Sequence, residues 1–166
     1  GAMDICLEFS TLSKTFNMTG WRVGMAVGNQ EAVQTLGKIK TNMDSGVFKA
    51  IQEAAIHGME HGDDFIKEQN ALYQDRRDIL VTALRDQGWD IESPKATYYV
   101  WAPVPKGKKS QDFAIELLEE TGILVVPGTG YGPKGEGYFR MSITTPTDRL
   151  KEAAERLRKH NIRFEG

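Results

Sequence analysis

The sequence is poor in the residues that staple small proteins, and neither sign of charge dominates. Cys6 is its one cysteine. A lone thiol excludes an internal disulfide framework and cysteine-based zinc modules, and fits a reducing, cytoplasmic compartment. Lys and Arg number 21 against 23 Asp and Glu, a formal net charge of −2. Without a broad cationic field, neither nucleic acid nor an anionic membrane surface is expected as a partner. Apolar runs are short: Ile123 to Val126 falls far below the ~20 residues a membrane span needs. Of the 3 histidines, His57 and His61 enclose Gly-Met-Glu rather than the Glu-x-x of a zincin, so no metal site is expected. No internal repeat or low-complexity tract stands out. Gly1-Ala2-Met3 lacks the basic and apolar regions of a signal peptide and reads as a cloning scar. What is present is an ordinary globular mixture, 166 residues with 40% hydrophobic and 27% charged side chains. A chain of that size buries roughly 70% of its unfolded surface, enough for a core without staples.

Patterning predicts short strands interleaved with amphipathic helices, an α/β (α+β) class. Ile5, Leu7 and Phe9 alternate with Cys6, Glu8 and Ser10, the period of two that marks a strand, with Cys6 as a buried small hydrophobe. Trp21 to Val27 reads as a second strand closed by Gly28-Asn29, and Thr11 to Gly20 as the polar loop between them. A helix is expected with Phe48, Ile51, Ala55 and Met59 on one face and Gly62 at its end. Another opens at Asp63-Asp64 and stops at Gly88, with Phe65/Ile66, Leu72/Tyr73, Ile79/Leu80 and Leu84 as its stripe. At 1.5 Å per residue such a helix is ~35 Å long, about the span of a small domain.

Beyond Gly88 the elements shorten. Strands are expected over 97–102, 123–126 and 138–143, and a helix over 111–121 with Phe113, Leu117 and Leu118 inward and Gly122 as C-cap. In the last strand Phe139, Met141 and Ile143 share one face, and Tyr138, Arg140 and Ser142 the other. Tyr98, Tyr99 and Trp101 read as core. Thr145 is the expected N-cap of the final helix, with Pro146 at N1 and Leu150, Ala154 and Leu157 as its stripe.

Chemistry concentrates in the segment from Ser10 to Gly24. Lys14 sits between two strands with hydroxyls at Thr11 and Ser13 and a guanidinium at Arg22, while Gly20 and Gly24 let the backbone turn and pack closely. An amine in a suitable environment is a Schiff-base nucleophile, and hydroxyls with a guanidinium are phosphate donors. Together they suit pyridoxal phosphate, which needs an aldehyde partner and a phosphate anchor. Taken alone, Lys14 reads as a surface lysine beside an arginine. Ser13, Lys14, Gly20, Arg22 and Gly24 jointly, at usages of about 5–7% each, coincide by chance about once in 10⁴ chains of this length. Two decoys fail on context. Gly130 to Gly135 matches G-x-G-x-x-G, but a strand rather than a helix follows. Thr11-x-x-Lys14 lacks the nucleophilic serine of an S-x-x-K site.

Ser-Lys followed by Gly-x-Arg-x-Gly resembles the cofactor-lysine motif of class I/II (fold-type I) aminotransferases. The resemblance implies that Lys14 carries pyridoxal 5'-phosphate and then moves the proton, that Arg22 grips the cofactor phosphate, and that Thr11 or Ser13 adds a hydroxyl to it. The layout of Pro127 to Gly132, Gly135-Glu136-Gly137 and Tyr138-Phe139-Arg140-Met141-Ser142 is similar to the family's small domain, and makes Arg140 the clamp for a substrate α-carboxylate. The implied substrates are an amino acid such as glutamate and a 2-oxo acid, handled by a homodimer. Met18 to Arg22, Asn42 to Phe48 and Ala54-Ala55-Ile56 most resemble the bacterial LL-diaminopimelate group of lysine biosynthesis, with the alanine and aspartate groups as alternatives. In the family the lysine lies well into the second half, behind the residues that stack on the ring and pair with its nitrogen. The expectation is therefore a C-terminal part, inactive by itself. It would comprise the scar at 1–3, the end of the cofactor domain and its sheet at 4–47, long interdomain helices at 48–88 and a small α+β domain at 89–166. A non-catalytic interaction module on the same scaffold is the alternative from another class.

Overall fold

A computed structural model describes residues 1–164, and the chain falls into two compact units that divide at Gln69/Asn70. In the first unit α1 (Ala2–Ile5) precedes an antiparallel pair, β1 (Leu7–Thr11) and β2 (Gly24–Gly28), in a register running from Leu7↔Gly28 to Thr11↔Gly24. The connection holds a short helix, α2 (Leu12–Thr15), and a 3-10 turn at Thr19–Trp21. Then come α3 (Gln30–Met43) and α4 (Lys49–His61), and α5 (Asp63–Asp86) begins. The small core gathers Leu12, Met18, Val23 and Ala55, with Phe16, Met25, Val47, Ile51 and Ala54 packed against it.

Several sequence expectations are corrected here. Ile5 and Cys6 belong to α1 and its C-cap, not to a strand, and Cys6 is exposed. The second strand starts at Gly24 rather than Trp21, because Arg22 is left-handed (φ 54°) and breaks the extension. The 14-residue α3 escapes the sequence reading, although the Asn29 side chain caps it by accepting the Ala32 N–H at 2.9 Å. On α4 only Ala55 of the expected stripe is fully buried, and Phe48 is 72% exposed.

The second unit is built on a three-stranded antiparallel sheet ordered β3 (Tyr99–Pro103), β5 (Tyr138–Ser142), β4 (Val126–Pro127). The C-terminal half of α5, α6 (Ser110–Thr121) and α7 (Thr147–Lys159) contribute Leu80, Leu84, Phe113, Leu117, Leu150 and Leu157 to its core. Alternation on β5 works as expected: Phe139 and Met141 are buried, while Tyr138 is exposed and Arg140 half-buried. Trp89 anchors the aromatic centre, 6.3 Å from Phe113 and 6.2 Å from Phe139, and its indole N–H donates to the Pro103 carbonyl at 2.8 Å. Gly122 ends α6 in the left-handed conformation (φ 69°), its N–H reaching the Leu118 carbonyl at 2.8 Å.

Departures are local. Thr97 is left-handed (φ 74°), so β3 starts only at Tyr99, and β4 shrinks to two residues. Leu118 is exposed, and Ala114 takes the inward position on α6. The stripe on α5 is fully buried only from Leu80 onward, with Phe65 exposed. Pro146, not Thr145, occupies the N-cap of α7, and no side chain bonds there.

Where β5 begins, a polar knot fixes the backbone. Lys109 is the N-cap of α6 without a side-chain bond, and Glu136 supplies one from across the sheet loop. Its Oε1 accepts the N–H of Ser110 at 2.8 Å and of Gly137 at 2.9 Å. The buried Ser110 Oγ accepts the N–H of Gly137 at 2.8 Å and of Tyr138 at 3.1 Å. The Ser110 and Gly137 amides hold the Glu136 carboxyl below its usual range. A depressed folded pKa adds stability above the unfolded pKa and loses it as pH falls through the folded one. Glu136→Gln should therefore flatten the acid limb of stability below about pH 4.3. Melting temperatures against pH check this, and identical acid limbs for the two proteins would contradict it.

Candidate active site

Leu12 and Met18 are buried, at 2% and 8% exposure, and between them the chain must turn its polar side chains outward. Their backbones close the turn, with the N–H of Phe16 and of Met18 both donating to the Leu12 carbonyl at 3.2 and 3.4 Å. Lys14 is thereby an exposed residue of α2, a helical turn within the polar, turn-rich connection expected there.

Thr11 caps that turn. Its Oγ1 accepts the Ser13 N–H at 3.1 Å, and lies 2.8 Å from Ser13 Oγ and 3.2 Å from the Val23 carbonyl. Thr19 Oγ1 donates to the Ser13 carbonyl at 2.9 Å, and Arg22 Nη1 donates to the Thr19 carbonyl at 3.0 Å. Thr11, Ser13 and Arg22 are thus brought into one hydrogen-bonded turn with Lys14. Arg22 adopts its left-handed backbone without being glycine, a strain of order 1–3 kcal/mol of the kind found where a side chain must be aimed. Close packing of the strands fixes the base of the turn: a Cβ at Gly24 would lie 2.7 Å from the Ser10 carbonyl oxygen. An amine, two hydroxyls and a guanidinium, all but one on exposed residues, form a donor set that fits a phosphorylated aldehyde.

Arg140 is on β5 in the second unit, opposite Trp101 on one side and Val126 on the other. Its guanidinium carbon lies over the Tyr99 ring at 3.8 Å and over the Tyr131 ring at 4.4 Å. Trp101 is 41% exposed, which corrects the reading of Tyr99 and Trp101 as core. Both face away from Val100 and Ala102, which are the buried residues of β3. Sequence reasoning missed Thr19, which links Ser13 to Arg22, and Tyr131, which flanks Arg140. The first had a local signal, a hydroxyl beside Gly20; the second depends on how the 128–137 segment folds back. Gly130 to Gly135 lies in two 3-10 turns that lead into β5 and not into the helix a dinucleotide motif requires.

The chain matches the family model described as aminotransferase class I and II over residues 2–157. It is 55% identical over 159 residues to an LL-diaminopimelate aminotransferase of Nitratidesulfovibrio vulgaris, covering 96% of this chain and 41% of that protein. A Gloeobacter violaceus protein of the same description is 52% identical, with 100% and 43% covered. Among solved structures, an aminotransferase from Staphylococcus aureus superposes with a TM-score of 0.88 at 39% identity, covering 98% of this chain and 43% of that one. The chain therefore spans about two fifths of the length of the relatives it matches. Thr11→Ala should cost about 1 kcal/mol by removing the cap of the Lys14 turn, and Thr11→Ser should restore most of it. Urea denaturation followed at the first unit decides this; equal stabilities for all three proteins would contradict the cap.

Proposed function

Because the chain belongs to the class I and II aminotransferases, we propose that it furnishes the cofactor lysine and substrate arginine of an LL-diaminopimelate aminotransferase acting in lysine biosynthesis. The observation that carries this reading is the single turn that contains Lys14 and whose hydrogen bonds link Thr11, Ser13, Thr19 and Arg22. The substrate group is supported by identities of 55% and 52% to proteins of that description. Activity requires the rest of a full-length protein, which this reading takes to be a cytoplasmic homodimer.

Pyridoxal 5'-phosphate, when bound, supplies an aldehyde for amino groups and a ring that withdraws electrons. Lys14 would hold that aldehyde through Nζ, and the same nitrogen would move a proton at the substrate α-carbon. Arg22 donates charge-assisted hydrogen bonds to the phosphate, with Ser13 and Thr11 hydroxyls beside it. Arg140 receives the α-carboxylate of the amino acid or 2-oxo acid and so orients the α-carbon.

In a full-length protein carrying this chain, Lys14→Ala should abolish turnover and leave the fold intact, since Lys14 is exposed. Arg22→Ala should weaken cofactor affinity roughly 10–150-fold, the equivalent of about 1.5–3 kcal/mol, with little change in the rate at saturation. Arg140→Ala should raise KM for the amino donor while cofactor affinity holds. Spectrophotometric cofactor titration and steady-state assays with LL-diaminopimelate, alanine and aspartate as donors test all three. Ordinary turnover by Lys14→Ala would overturn the proposal, as would a kcat/KM for alanine or aspartate above that for LL-diaminopimelate for its substrate.

A further inference from the structure

We propose that Tyr99 and Tyr131 are positioning residues, which crowd the Arg140 guanidinium so that a carboxylate meets it only along its N–H edges. The inference rests on reading Arg140 as the substrate-carboxylate residue. With its central carbon 3.8 Å from one ring centroid and 4.4 Å from the other, the cation lies against both rings. Among the described residues no carboxylate pairs with it and no acceptor takes its N–H groups. That combination matters. A ring attracts a cation through its quadrupole and uses none of the five in-plane donors. A protein carboxylate would also have fixed the arginine, but would have consumed the donors that a substrate needs. Two rings restrain the side chain and keep its edges open for a planar, bidentate partner.

Each ring is held independently. Tyr99 sits on β3, where pairing with Ser142 fixes its backbone, and its ring meets that of Tyr98 edge-on at 6.4 Å. Tyr131 ends the 3-10 turn at Gly128–Tyr131, directly before Gly132 with φ 116°. That turn is braced by the Trp101 ring, T-shaped to Tyr131 at 5.8 Å and stacked on Tyr138 at 5.7 Å and 23°. At its base Gly128 and Gly135 touch so closely that a Cβ on either would lie about 2 Å from the other's carbonyl oxygen: 2.1 Å for Gly128 and 2.0 Å for Gly135. The tyrosine is therefore carried by a turn that cannot shift without unpacking.

The test compares Tyr131→Phe, Tyr131→Leu and Tyr131→Ala in the full-length enzyme. The leucine and alanine proteins should show KM for the amino donor raised about tenfold with kcat within about twofold, and the phenylalanine protein should keep the original KM. A second readout needs no turnover. In the NMR spectrum of the 166-residue chain, the Arg140 side-chain protons should be shifted upfield by ring currents, retained in Tyr131→Phe and reduced in Tyr131→Leu. An unchanged KM in Tyr131→Leu, where Arg140→Ala does raise it, overturns the positioning role alone. An unchanged KM in Arg140→Ala overturns the carboxylate reading beneath it. Equal damage from phenylalanine and leucine would assign the effect to the tyrosine hydroxyl and also overturn the proposal.

Discussion

The burial of Phe139 and Met141 is the constraint from which the second unit follows. A strand turns successive side chains to opposite faces, so two apolar anchors in the core leave Arg140 between them on the other face. Register then chooses the neighbours. Trp101 stands opposite Arg140 on β3 and Val126 opposite it on β4, which makes an aromatic surface of the side that the core does not use. Shifting β5 by one residue would bury the guanidinium and expose Phe139, a change that the Trp89–Phe113–Phe139 centre resists.

The same logic, on a smaller scale, governs the first unit. Leu12 and Met18 are driven inward and the residues around them are polar, so the turn presents Ser13, Lys14 and Arg22 outward. Hydrogen bonds then do what packing cannot in so small a core. Thr11 caps, Thr19 ties, and the Arg22 backbone accepts a left-handed conformation to complete the turn. Sites of this kind combine an apolar anchor that fixes position with a polar rim that carries chemistry.

Both sites rely on glycines where backbones meet. At Gly24 a side chain would strike Ser10, and between Gly128 and Gly135 there is no space for one on either side. In the second case the close approach closes the loop that carries Tyr131 back onto the start of β5, next to the Ser110–Glu136 knot. Loop closure and the helix cap of α6 thus share one set of bonds, and a change in either reaches the strand that holds Arg140.

The amino-acid sequence by itself determined the class of fold, the alternation of β5, the bounds of α5 and α6 to within two residues, and the cluster around Lys14. These depend on local spacing, on periods of two and 3.6 and on cap residues, and local spacing is visible in a chain. It did not determine that Lys14 belongs to a helical turn, since four residues are too short for periodicity to register. Nor did it reveal α3, none of whose residues is fully buried, although Asn29 caps it and Ala32, Leu36, Ile39 and Met43 recur at helical spacing. Only the tertiary structure decided which aromatics serve the core and which surround Arg140. Tyr99, Trp101 and Tyr131 differ little as residue types. What separates them is strand register and the return of the 128–137 segment, and both are settled by pairing between parts of the chain far apart in sequence.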